Sequence, residues 1–126
     1  MTLFEKYGGV STVTLIIKAF YKEVLTNPLL KGYFQNVDTE RLISHQVSFV
    51  SFLLGKPAEI HAEDYLKAAH KGLRINLGAY TEVLAILQDV FTAHGMEPND
   101  IQKVMNILHS FRDVVVEMPS IERHIN

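Results

Sequence analysis

His70, Gln46 and Tyr21 are polar side chains at positions where helical spacing puts apolar ones. His70 follows Leu66 by four residues and precedes Leu73 by three, so it points the way the apolar face points. Burying an imidazole costs free energy unless it finds a partner. Two readings stay open. One is a core histidine bonded to a carbonyl, which the pattern taken alone favours. The other is a ligand to a metal or a haem iron through a neutral ring nitrogen. The stretch that carries His70 is short and ends at Gly72, so packing alone holds it weakly, and a bond to iron would help hold it. Gln46 lies four residues after Leu42 and three before Phe49, either reaching solvent at an edge or placing its amide in a pocket. Tyr21 lies four after Ile17, the spacing of a core ring whose hydroxyl reaches a rim. Together they place a phenol, an amide and an imidazole on the inward faces of three helical segments.

Motifs for other chemistries are missing. Gly55-Lys56 lacks the upstream glycine of a phosphate-binding loop. The histidines, at positions 45, 61, 70, 94, 109 and 124, show no close metal-ligand spacing. His61 and His94 fall near segment ends and His124 in the tail, which reads as solvated or capping. No nucleophile-elbow pattern surrounds a serine. The chain has no cysteine, which removes disulfides, thiolate metal sites and a cysteine nucleophile, and fits a reducing compartment.

The elements that position the three side chains are helical throughout. Gly8-Gly9, Asn27-Pro28, Gly55-Lys56-Pro57, Gly72 with Gly78, and Gly95 with Pro98 divide the chain. Pro28 suits the first turn of a short helix. Between the breaks the apolar period is that of a helix. The stripes are Val13, Ile17, Phe20, Tyr21 and Val24 over 11–25, and Leu42, Ile43, Phe49, Val50 and Leu53 over 39–54, the latter with Asp38 or Thr39 as cap. They continue with Leu66, Ala69, His70 and Leu73 over 64–73, and with Tyr80, Val83, Leu84, Leu87, Val90 and Phe91 over 79–94. The last runs over 101–117 with Ile101, Val104, Met105, Leu108, Phe111 and Val115. No segment alternates with a two-residue period, so the fold class is all-α.

The totals bound the rest. The chain has 126 residues, enough for one domain spanning 1–126 and too few for two ordinary ones. Hydrophobic residues at 48% and charged residues at 21% mark a folded chain. A net charge of -2 with no block of like charges excludes a field for holding nucleic acid. The polar start, Met1-Thr2-Leu3-Phe4-Glu5-Lys6, does not read as a signal peptide, and no apolar run approaches the ~20 residues of a membrane span. A cytoplasmic location without membrane contact is the expectation.

Several stretches, in order and at family spacing, resemble the group I truncated haemoglobins over roughly residues 3 to 116. They are Leu3-Phe4-Glu5-Lys6-Tyr7-Gly8-Gly9, then Phe20-Tyr21-Lys22-Glu23-Val24-Leu25 running on to Asn27-Pro28-Leu29-Leu30 and Tyr33-Phe34. His45-Gln46-Val47-Ser48-Phe49, Ala68-Ala69-His70-Lys71-Gly72-Leu73 and Phe111-Arg112-Asp113-Val114-Val115 follow. The resemblance implies a shortened globin fold, a sandwich of two helix pairs around haem b (iron protoporphyrin IX). It implies His70 as proximal iron ligand, and Tyr21 and Gln46 as the distal donors with Leu42 one turn earlier. Phe20, Phe34, Phe49 and Leu73 match haem contacts. His45 falls where some members place a histidine that can itself bind iron. There are departures. Gly55-Lys56 stands where many members have a second Gly-Gly, Tyr33-Phe34 where many have two phenylalanines, and Val50 where some carry an aromatic.

The activity so implied is binding of oxygen, nitric oxide and carbon monoxide, with oxygen transport or nitric oxide detoxification as the role. Tyr21 and Gln46 would donate hydrogen bonds to oxygen, which draws partial negative charge. A nitric-oxide dioxygenase would convert nitric oxide to nitrate and need a reductase partner. The alternatives are a non-enzymatic oxygen or nitric-oxide binder or sensor with His45 as an endogenous distal ligand, and a haem-free helical interaction module.

Overall fold

A computed structural model describes residues 1–56, 66, 70 and 74–116. The regular elements among them are helices: α1 (Leu3–Lys6), α2 (Gly9–Val24), a 3-10 turn (Lys31–Phe34), α3 (Thr39–Leu53), α4 (Leu77–Ala93), α5 (Pro98–Ser110) and α6 (Arg112–Val115). Leu66 and His70 also have helical backbone. The stripe assigned to 64–73 otherwise lies outside the described residues, and Leu73 with it.

Local chemistry fixes the helix ends. The Thr2 hydroxyl accepts from the Glu5 N–H at 3.1 Å, and the Glu5 carboxylate accepts from the Thr2 N–H at 3.1 Å, a reciprocal capping box that starts α1. Gly8 turns the chain into α2 at φ +106, a conformation that a side chain strains. The Asp38 carboxylate accepts from the Arg41 N–H at the start of α3, so Asp38 and not Thr39 is the cap. Asn76 starts α4 by accepting from the Ala79 N–H at 2.7 Å. Pro98 opens α5 in the first turn, where its missing N–H is no loss.

Three sequence expectations are corrected. Pro28 does not open a helix: residues 28–30 are turns, and the short element that follows is 3-10, starting at Lys31. Gly78 does not flank a break but lies in the first turn of α4, because the Asn76 cap sets the helix start two residues earlier. The stripe over 101–117 is not one helix: Phe111 separates α5 from α6.

The helix pairs form around one core. α2 packs against α3 and α4, and α4 against α5. α2 buries Val13, Ile16, Ile17, Phe20, Tyr21 and Val24, and α4 buries Ala79, Tyr80, Leu84, Leu87, Val90 and Phe91. Fully burying one such large apolar side chain contributes about 1.5–3 kcal/mol.

A four-residue helix has no stability of its own, and α1 is held from both ends. The Phe4 N–H donates to the Leu54 carbonyl at 2.9 Å, at the end of α3. At the other end Lys6 Nζ lies 2.7 Å from Asp100 Oδ2, and the Tyr7 hydroxyl donates to the same oxygen at 2.5 Å. The Tyr7 hydroxyl in turn accepts from the Glu97 N–H at 2.9 Å. Asp100 is buried in the first turn of α5, with its Oδ2 bonded by both Lys6 and Tyr7. The hydrogen bonds from Lys6 and Tyr7 hold its carboxyl below the usual range. The Lys6 ammonium is shifted upward by its bond to Asp100. Burial, then the bond to Asp100, raises the Tyr7 phenol.

Candidate functional site

The helices enclose a cavity of about 380 Å³. α2 contributes Ile17, Phe20 and Tyr21; the 3-10 turn and the residue before it contribute Leu30, Tyr33 and Phe34. α3 contributes Leu42, His45, Gln46, Phe49, Val50 and Leu53. Leu66 and His70 line it from the segment between α3 and α4, and Tyr80, Val83, Leu84 and Leu87 from α4. Leu108, Phe111 and Val115 close it. Among the described lining residues none is Asp, Glu, Lys or Arg. The polar atoms belong to Tyr21, Tyr33, His45, Gln46, His70 and Tyr80.

His70, Gln46 and Tyr21, singled out by spacing, therefore share one apolar space although they come from separate segments. Tyr21 is 3% exposed, with its ring edge-on to Phe20 at 5.0 Å and to Phe34 at 5.7 Å between centroids. Phe20 and Phe49 are buried, and Leu42, Gln46 and Phe34 half-buried. His45 is exposed and touches the cavity at its mouth.

His70 carries the decisive detail. Its Nδ1 lies 2.7 Å from the Leu66 carbonyl. A carbonyl only accepts, so Nδ1 carries the hydrogen, and in the neutral ring Nε2 keeps its lone pair. The two sequence readings of this residue, carbonyl-bonded core histidine and iron ligand, thus become compatible: the carbonyl bond fixes the tautomer that leaves a nitrogen donor.

His94 makes the same kind of carbonyl contact, but neither it nor His109 lines the cavity. His94 caps the end of α4, with Nδ1 at 3.0 Å from the Val90 carbonyl, and His109 is exposed. His61 and His124 lie outside the described residues. Among the described residues no cluster of three His, Asp or Glu side chains is placed to hold a metal ion.

Tyr80 is a lining residue that spacing left among the core stripes. Its hydroxyl donates to the Leu108 carbonyl of α5, in a very short contact, so that its ring faces the cavity while its polar atom ties α4 to α5. Burial pushes the Tyr80 phenol up to about 12. Helical period placed the ring inward but held no information on where a neighbouring helix would bring a carbonyl.

The described helices include none long and apolar enough to cross a membrane. The fold matches solved truncated haemoglobins. That of Tetrahymena pyriformis in its Fe(III) form has a TM-score of 0.82 at 24% identity, over 92% of this chain and 98% of the other. The group II protein of Bacillus anthracis scores 0.83 at 24% identity, over 98% and 97%. Backbone shape thus does not separate the groups. A group 1 truncated haemoglobin of Chlamydomonas moewusii is 31% identical over 120 residues, 94% of this chain and 70% of the relative. A bacterial-like globin family model matches residues 2–117. The chain belongs to the group 1 truncated haemoglobins. As a truncated haemoglobin it binds haem, and through haem diatomic gases such as oxygen.

The residues of this truncated haemoglobin fit that group. A flat, largely apolar macrocycle requires an uncharged, ring-lined space, and cofactor sites of this kind fall in the few-hundred Å³ range. The cavity supplies that lining, and His70 supplies one nitrogen donor with its second nitrogen already engaged.

Proposed function

We propose that this truncated haemoglobin binds oxygen at the iron of haem b held by His70 Nε2, and uses it to turn nitric oxide into nitrate. The observation that carries the proposal is the convergence of Tyr21, Gln46 and His70 on one uncharged cavity. Held by His70, the haem would supply the redox chemistry, the one-electron oxidation that accompanies joining nitric oxide and dioxygen as nitrate, and a reductase would return that electron.

The chain does the rest. The Leu66 carbonyl holds the proton on His70 Nδ1 and so orients the ring. The Tyr21 phenol and the Gln46 amide donate to the partial negative charge that oxygen draws, in a setting where no charged side chain competes among the described lining. Phe34 braces the Tyr21 ring edge-on, which fixes where its hydroxyl points. Phe20, Phe34, Phe49 and Leu42 form the apolar contacts that exclude water, and His45 stands at the mouth. Its exposure favours a place at the rim over a bond to iron.

Tyr21→Phe tests the reading. A hydrogen bond to a charged acceptor is worth roughly 1.5–3 kcal/mol, so oxygen release should quicken on the order of tenfold to a hundredfold. Carbon monoxide, which draws less charge, should respond less; equal effects on both gases would mean that the change altered access. Sustained nitrate formation with a reductase is the further requirement, and its absence would leave a binder or sensor of the two gases.

A further inference from the structure

The stretch between α2 and α3 holds only the 3-10 turn as regular structure, yet it sets Leu30, Tyr33 and Phe34 against the cavity. Asn27 organises it. Its backbone carbonyl accepts from the Leu30 N–H at 3.0 Å and the Lys31 N–H at 2.9 Å, and its Oδ1 accepts from the Leu29 N–H at 2.9 Å. With Oδ1 so engaged, Nδ2 is turned to α4, where it donates to Glu82 Oε2 at 2.6 Å. Both residues are partly buried, and a short bond to a carboxylate in that setting is among the stronger kinds. Glu82 is the neighbour of Val83 and lies within two residues of Tyr80 and Leu84, all of which line the same cavity.

We infer that Asn27 and Glu82 form a latch that sets how closely the wall from Leu30 to Phe34 stands against α4, and through Phe34 the place of the Tyr21 ring. They are positioning residues, since neither lines the cavity. The inference rests on the reading of that cavity as the haem pocket.

A polarity swap in the haem-loaded protein tests it. Asn27→Asp sets two carboxylates against each other across the latch while keeping an acceptor for the Leu29 N–H. Haem transfer to an acceptor apoglobin should accelerate on the order of tenfold, and the amides of Leu30, Lys31 and Tyr33 should exchange faster by a similar factor. Adding Glu82→Gln restores one donor and one acceptor with the polarity reversed, and should return both rates toward those of the parent. Glu82→Ala, which inserts no charge, should move them in the same direction as Asn27→Asp and serves where that variant does not fold. Unchanged rates in both single variants would overturn the latch. So would an Asn27→Asp/Glu82→Gln protein as fast as Asn27→Asp alone, or equal acceleration at the distant amides of His94 and Ile101, which would mean general loosening. Amide exchange is also read in the haem-free protein. Failure to take up haem at all would sink the reading of the cavity, while exchange at Leu30, Lys31 and Tyr33 would still decide the latch.

Discussion

Removing the Tyr80 hydroxyl should weaken the fold and leave the gas chemistry alone. Tyr80→Phe deletes the bond to the Leu108 carbonyl and no ring carbon facing the cavity. That carbonyl also accepts from the Phe111 N–H at 3.1 Å, so it is not left bare. The loss is therefore that of one ordinary hydrogen bond, about 0.5–1.5 kcal/mol. For a chain of this size that lowers the thermal midpoint by roughly 2–7 °C. The phenol also sets a pH dependence. Its folded-state value of about 12 lies above that of an exposed tyrosine, so the contribution is fully present below ~10. It is lost as the pH climbs toward 12, because the unfolded chain ionises first. Thermal unfolding of the parent and Tyr80→Phe across that range should show a gap that closes as the solution becomes alkaline. Oxygen release from the loaded protein, by stopped flow, should be unchanged. An unaltered midpoint together with faster oxygen release would refute the reasoning, since the hydroxyl would then serve the cavity and not the seam between α4 and α5.

Three further outcomes are expected. His70→Gly should lose haem or retain it only weakly, and added imidazole should restore a five-coordinate spectrum; a parent-like haem-loss rate without imidazole would remove His70 from the iron. Asp100→Asn should destabilise the docking of α1, read as faster amide exchange at Phe4 and Tyr7. Because Lys6 and Tyr7 depress the Asp100 carboxyl, its contribution is present above the usual carboxylate range and disappears as the pH falls through the depressed value, so parent and variant should converge in acid. His45→Ala should leave a ferrous protein that is five-coordinate and high-spin before and after the change; a low-spin parent converted to high-spin would make His45 a ligand.

The sequence made the helices readable because their apolar periods are long and their punctuation is chemical. The cap of α3 could be narrowed to Asp38 or Thr39 from position, and the inward faces carrying Tyr21, Gln46 and His70 follow from spacing of three and four. What spacing could not reach depends on partners distant in the chain. Nothing in the local sequence singles out Asp100, yet it is buried, with Lys6 and Tyr7 arriving from the other end of the chain. Gly78 reads as a break until the Asn76 side chain is seen to take the Ala79 N–H. The apolar stripe runs on through Phe111 although the helix does not, because α6 resumes a buried face with Val115. Asn27-Pro28 marks the break after α2, though not the turn that takes the place of a helix there, and the Asn27 partner Glu82 lies 55 residues away with no local signature.

The contact between Tyr7 and Asp100 joins residues 93 apart, and that separation orders events in time. At ribosomal rates of 5–20 residues per second, α1 leaves the ribosome roughly 5 to 20 s before the carboxylate it needs. Closing so long a loop costs entropy before the contact repays it, so α1 docks after the core helices have met. Contacts made after the transition state govern how fast the native protein opens and leave the folding rate untouched. Changes at Lys6, Tyr7 or Asp100 should therefore quicken unfolding in denaturant and leave the refolding limb where it was.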